Sequence, residues 1–206
     1  MVECLTNDYQ TSEMKADINN TTALILSGGQ GRRMNYRDKG LLLWKNKTLI
    51  SHVVDILRNQ LNHIVINANQ NTEDYQQLNL PLVEDSIEGY QGPLSGILSG
   101  MQHCTDSDYL LVVPCDCPTP PEDLFVQLST AINESPDTDI AIVDDGSRLQ
   151  PLFGLYKTSL QPALANALSK QHNKVLQFVS ENKYVTVDYS EHAGAFKNFN
   201  RPEDMQ

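Results

Sequence analysis

Thr22-Ala23-Leu24-Ile25-Leu26-Ser27-Gly28-Gly29-Gln30-Gly31-Arg32-Arg33-Met34 is the stretch on which the fold reading turns. A short, unbroken apolar run closed by glycines is how a strand buried on both faces reads, because a half-exposed strand would alternate apolar and polar residues. In an open α/β sheet, ligands sit outside the carboxyl ends of the strands. Glycines placed there let backbone N–H groups approach a phosphate without interference from a Cβ. Gly28, Gly29 and Gly31 fit that use. The familiar phosphate loops do not match: G-x-x-x-x-G-K-[ST] is missing, and the dinucleotide pattern G-x-G-x-x-G fails at Met34. A plain strand-to-loop corner is the competing reading of the glycines alone.

Working outward, apolar runs alternate with amphipathic stretches. Residues 48–60 carry Leu49, Val53, Ile56 and Leu57 at helical spacing. Ile64–Ile66, Tyr109–Val113, Ile140–Val143, Leu152–Tyr156 and Tyr184–Asp188 read as strands, with Leu82-Val83 as a minor one. Helices are expected at 72–79, from Pro93 (a residue suited to a first helical turn) to His103, and at 121–133, 159–169 and 172–181. This order predicts an α/β three-layer fold of Rossmann-like type: a mostly parallel sheet with helices on both faces. Residues 1–20 are polar and read as a flexible tail, and 21–206 as one domain.

The chain has 206 residues and a formal charge of −11. That balance argues against nucleic acid and anionic membrane as partners. The charge is unevenly spread. Residues 30–47 hold Arg32, Arg33, Arg37, Lys39, Lys45 and Lys47 against Asp38, a net +5 that leaves −16 for the rest. A solvated basic face is the ordinary explanation of such a run. Directly after a glycine loop at a strand end, it also suits a polyphosphate.

Four cysteines in a chain this long suggest no disulfide framework. Cys115-Asp116-Cys117 is a C-x-C, so the two thiols should share one face and Asp116 the other. No stretch approaches the ~20 apolar residues that span a bilayer, and the N-terminus lacks the basic and apolar regions of a signal peptide. A cytoplasmic protein is expected.

The series Leu26-Ser27-Gly28-Gly29-x-Gly31-x-Arg33-Met34 followed by Asp38-Lys39-Gly40-Leu41 resembles the signature of nucleotidyltransferases with a glycine-rich loop after the first strand. In particular it resembles the molybdenum cofactor guanylyltransferase family. The likeness continues through Val65-Ile66-Asn67-Ala68-Asn69, Glu84-Asp85-Ser86, Gly92–Ile97, Pro114-Cys115-Asp116-Cys117-Pro118, Gln150–Phe153 and Phe196–Glu203. Asn35-Tyr36-Arg37 stands where that family often has glycines after the Arg-Met pair, although Lys39 keeps its spacing to Arg33.

The resemblance implies transfer of GMP from GTP to the phosphate of molybdopterin, with pyrophosphate leaving and Mg²⁺ as cofactor. It assigns Lys39, Arg33 and Asp116 to catalysis, with Asp116 as the metal ligand. Leu26, Ser27, Gly28, Gly29, Gly31, Lys39, Asn67, Asp85 and Asp116 are assigned to GTP, the Gly28-Gly29 pair favouring guanine over cytosine. Arg148, Lys174, Asn198 and Asn200 fall in the half assigned to molybdopterin. Proteins that supply the cofactor and molybdoenzymes that receive it are implied partners. A turn-forming aspartate between prolines is the structural alternative for Asp116, and strand-end turn chemistry for Asn67 and Asp85. At the level of function, two alternatives stand: a nucleotidyltransferase using CTP or a sugar or alcohol phosphate, and a non-catalytic adaptor that binds nucleotide and delivers cofactor.

Overall fold

A computed structural model describes residues 15–27, 38–87, 92–199 and 204. Gly28, Gly29, Gly31, Arg33 and Asn200 lie outside the described residues, as do Arg32, Arg37 and residues 1–14 of the expected tail.

The decisive run forms β1 (Thr21–Leu26), buried along its whole length. It is flanked by two parallel neighbours, β4 (His63–Asn67) and β6 (Tyr109–Pro114). The continuous apolar character follows from this central position. Side chains alternate between faces along a strand, so Ala23 and Ile25 join one core while Leu24 and Leu26 join another. The same split separates Leu111 and Val113 from Leu110 and Val112.

The first face is covered by α1 (Leu49–Leu57) and α4 (Leu124–Asn133), with Tyr75 of the short α2 (Thr72–Gln76). The second is covered by α3 (Pro93–His103), α5 (Gln161–Ser169) and α6 (Val175–Ser180). Helix α1 begins where the Thr48 hydroxyl accepts from the Ser51 amide at 3.3 Å, a cap that stabilises a helix start by ~1 kcal/mol.

The seven-stranded sheet runs β5-β4-β1-β6-β8-β7-β9, with β5 at Leu82–Val83, β7 at Ile140–Asp144, β8 at Leu149–Lys157 and β9 at Tyr184–Asp188. It is mostly parallel, as expected. The exception is β8, antiparallel to both β6 and β7. A tight turn from β7 returns the chain directly as β8, which a parallel crossover of a dozen or more residues could not do.

Two features differ from the sequence reading. A hairpin of β2 (Leu43–Trp44) and β3 (Lys47–Thr48) precedes α1 where no strand was expected. Its turn residues Lys45 and Asn46 adopt positive φ, and two-residue strands carry too little pattern to be read. Secondly, the polar segment read as tail packs from residue 15 onward. The Ala16 amide donates to Asn133 Oδ1 at 2.8 Å, its carbonyl accepts from Asn133 Nδ2 at 3.1 Å, and its side chain is buried. No helix among the described residues is long and apolar enough to cross a membrane.

Candidate active site

The carboxyl ends of β1, β4 and β6 open into a pocket of about 200 Å³. Leu26 and Ser27 leave β1 into its floor, Pro114, Cys115 and Asp116 leave β6, and Gly92 with Pro93 bring the start of α3 to its rim. Lys39, Asn67, Asp85, Leu152 and Asn198 complete it. Seven of the residues assigned from sequence therefore meet in one cavity: Leu26, Ser27, Lys39, Asn67, Asp85, Asp116 and Asn198.

Lys39 starts a single 3-10 turn, Lys39–Leu41, capped by Asp38, whose carboxylate accepts from the Gly40 amide at 3.1 Å. The capping carboxylate is itself held. Tyr75 donates its hydroxyl to Asp38 Oδ1 at 2.5 Å, and Asn71 Nδ2 donates to Oδ2 at 3.2 Å. Because the Tyr75 hydrogen is committed to Asp38, the Ser27 hydroxyl supplies the hydrogen of the short Ser27–Tyr75 contact. Burial, reinforced by the nearby Cys115 and Asp38, pushes the Tyr75 phenol far above its ordinary range, so it remains a donor at any working pH. Gly40 sits directly on this network. A Cβ there would lie 2.6 Å from Ser27 Oγ and 2.6 Å from the Tyr75 oxygen, so a side chain would break the arrangement that carries Lys39.

The Lys39 ammonium lies 3.0 Å from Asp116 Oδ2. Asp116 follows β6, and its flanking thiols turn the other way as the C-x-C spacing requires: Cys115 and Cys117 both belong to the core under α1 and α4. Among the described residues, the cysteines are free and buried. Burial first, and the Asp116 charge second, raise both thiols well above their usual range, which keeps them protonated and unreactive.

On the other side of the pocket, Asn67 is buried at the end of β4. Its amide donates to the Val83 carbonyl at 3.1 Å and to Asp85 Oδ1 at 2.9 Å. Asn69 Oδ1 accepts from the Asp85 amide at 2.7 Å. Both hydrogens of the Asn67 amide are thus spent inside the protein, and the side chain orients Asp85. Gly96 of α3 permits this, because a Cβ at that position would overlap Asn67 Oδ1.

The residues assigned to the second substrate divide. Asn198 lines the pocket. Arg148 lies in the β7–β8 turn, largely exposed, with Nε 3.8 Å from Asp145. Lys174 precedes α6 and is exposed. Neither is part of the pocket lining. One contributor escaped the sequence reading: Tyr75, which holds both Asp38 and Ser27. It is an aromatic in a weak helical segment, and nothing in its spacing marks it.

Among the described residues, no group of three or more His, Cys, Asp or Glu side chains is arranged to cage a metal. The pocket carboxylates are Asp85 and Asp116. That supply suits a hard cation held by one or two carboxylates and otherwise by ligand oxygens and water.

Residues 23–185 match a family model described as MobA-like NTP transferase domain. The chain is 44% identical over 185 residues to a molybdenum cofactor guanylyltransferase of Pasteurella multocida (strain Pm70), covering 90% of this chain and 97% of that protein. It is 39% identical over 188 residues to the protein of the same name from Shewanella piezotolerans, covering 89% of each. Among solved structures, molybdopterin-guanine dinucleotide biosynthesis protein A from Archaeoglobus fulgidus superposes with a TM-score of 0.73 at 20% identity, over 89% of this chain and 94% of that one. A 2-C-methyl-D-erythritol 4-phosphate cytidylyltransferase from Thermus thermophilus gives 0.65 at 14% identity, over 93% and 96%. At those identities the structural likeness speaks for the fold.

Proposed function

The chain belongs to the molybdenum cofactor guanylyltransferase family, and from that premise we propose that it transfers GMP from GTP to the phosphate of molybdopterin, within one domain over residues 21–206. The observation that carries the reading is the meeting of Lys39, Asp85, Asp116 and Asn198 around one cavity at the carboxyl end of the sheet.

In the reaction an oxygen of the molybdopterin phosphate attacks the α-phosphorus of GTP. One P–O bond forms, the α–β bridge breaks, and pyrophosphate departs. The nucleophile is already an anion, so no side chain must remove a proton. What the protein must supply is positioning and neutralisation of crowded negative charge. Lys39 is the cation for that task, exchanging the Asp116 carboxylate for phosphate oxygens. Arg33 and the backbone of Gly28, Gly29 and Gly31 are assigned to the same triphosphate by their motif. Asp85, fixed by Asn67, faces the nucleoside. Asn198, with Asn200, is assigned to molybdopterin; Arg148 and Lys174, outside the pocket lining, would meet only its outer parts.

Asp116, with phosphate oxygens, would hold Mg²⁺, which when bound supplies further charge neutralisation at the triphosphate. The cytoplasm is the compartment where GTP and reduced thiols are both available. Proteins that deliver or receive the cofactor are the expected macromolecular partners.

The test is a turnover assay with purified protein, molybdopterin and each nucleoside triphosphate. Pyrophosphate release that needs Mg²⁺, GTP and molybdopterin together supports the reading. Equal turnover with CTP, or turnover with a sugar phosphate in place of molybdopterin, overturns it.

A further inference from the structure

Trp44 is the only tryptophan of the chain, and its ring is held from three sides. The edge of Phe199 meets it at a centroid distance of 5.2 Å and an interplanar angle of 78°. His52 of α1 packs at 4.9 Å and donates Nε2–H to the Trp44 carbonyl at 2.8 Å. The Lys45 ammonium lies 4.2 Å from the ring centroid. This much fixing, in a two-residue strand that builds little of the core, calls for a purpose.

The purpose lies in what Phe199 does at the same time. Its amide donates to the Asp116 carbonyl at 2.7 Å. Just upstream, the Cys117 thiol contacts the carbonyls of Ala195 and Lys197 at 3.4 and 3.2 Å. Asn198 sits between these fastenings and lines the pocket. One residue therefore ties the C-terminal segment both to the turn that carries Asp116 and to the hairpin that follows Lys39. Cys117 holds the upstream side, which gives the second thiol of the C-x-C a structural use.

We propose that Trp44 and Phe199 are positioning residues for the second substrate: their edge-to-face contact sets Asn198 against Asp116 and Lys39, and so fixes the acceptor phosphate relative to GTP. The proposal rests on the guanylyltransfer reading, in which Asn198 serves the acceptor. It adds that aromatic residues outside the pocket lining decide acceptor affinity.

The experiment measures KM for molybdopterin and for GTP separately in the full chain. Wild-type turnover is established first, and its failure counts against the reading of the function, not against the role of the Trp44–Phe199 contact. With an active wild type, Phe199→Ala should raise KM for molybdopterin about tenfold while KM for GTP changes less than twofold. Trp44→Ala should do the same, and the double variant should be no worse than either single one. Phe199→Tyr and Trp44→Phe, which keep the aromatic edge contact, should restore the wild-type value. Tryptophan emission of Phe199→Ala should shift from wild type, reporting the lost contact directly. If Phe199→Ala fails to fold, Phe199→Leu fills the volume without an aromatic edge and takes its place. An unchanged KM for molybdopterin in a folded variant, or an equal rise in both constants, overturns the proposal.

Discussion

The ammonium of Lys39 and the carboxylate of Asp116 stand 3.0 Å apart, although 77 positions separate them in sequence. Lys39 comes from the 3-10 turn Lys39–Leu41, Asp116 from the turn after β6. Neither is sealed off: their side chains are 26% and 13% exposed, and both face the pocket. An ion pair so placed contributes little to folding, of the order of 1 kcal/mol. On the proposed function, its value lies in presenting one cation and one anion to an incoming polyanion. Asp116→Asn should therefore lower turnover by more than 100-fold and leave the thermal midpoint within a few degrees of wild type. Turnover near wild type in a folded Asp116→Asn protein would remove Asp116 from the chemistry.

Lys39→Met keeps the aliphatic stem and deletes the charge. Removing a group that stabilises transition-state charge typically costs ~10²–10³ in kcat. The same variant should lose most of the thermal stabilisation conferred by GTP, because a ligand at ~100 times its dissociation constant contributes about 2.7 kcal/mol and the loss of affinity takes that away. A GTP-induced midpoint shift equal to wild type would place the triphosphate elsewhere.

Tyr75→Phe removes a single oxygen from the core beneath Lys39. That oxygen serves Asp38 and Ser27 together, so both partners lose a bond in a site with little access to water. The expected loss of stability is ~1–3 kcal/mol. The expected functional effect is a several-fold fall in kcat/KM for GTP, since Asp38 caps the turn that positions Lys39. A variant with the stability loss and unaltered kinetics would show that the network supports the fold only.

The polarity of the Asn67 amide is equally specific. Asn67→Asp turns a donor into an acceptor that faces the Val83 carbonyl and the Asp85 carboxylate. A buried carboxylate beside another carboxylate cannot ionise freely. The variant should be destabilised by ~2 kcal/mol or more and should bind GTP more weakly. Binding measured by calorimetry at wild-type strength would show that Asp85 needs no orientation by Asn67.

The sheet was readable from sequence because its central strands are buried, β1 and β6 along their whole length and β4 in all but His63, so their apolar runs agree with the structure to within about a residue. The pocket lies at their carboxyl ends, where an open α/β sheet places its ligand, and Asp116 was legible from that position. The network around Tyr75 was not, because it depends on α2 bringing Tyr75 against both Ser27 and Asp38, which no local pattern announces. The partners of Asn67 were not legible for a related reason: Val83 and Asp85 come within its reach only when β5 pairs with β4. The Trp44–Phe199 contact joins residues at opposite ends of the chain, beyond any periodicity.

The turn between β7 and β8 gives a prediction in pH. Asp145 is 7% exposed, and its Oδ1 accepts from the Ser147 hydroxyl at 2.6 Å, the Ser147 amide at 2.8 Å and the Arg148 amide at 2.9 Å. Gln150 donates to Oδ2 at 2.5 Å. The Ser147 hydroxyl, followed by Gln150 and the two amides, outweighs burial and holds this carboxyl well below the ordinary aspartate value of 3.8. A carboxyl depressed on folding contributes stability that is fully present above its unfolded-state value and lost as pH falls through the folded one. Asp145→Asn should therefore cost ~2 kcal/mol at neutral pH, and the gap to wild type should narrow as pH falls below about 4. Urea denaturation of both proteins between pH 3 and pH 7 reads this directly. A gap that stays constant through that range would mean that the turn depends on the shape of the side chain and not on its charge.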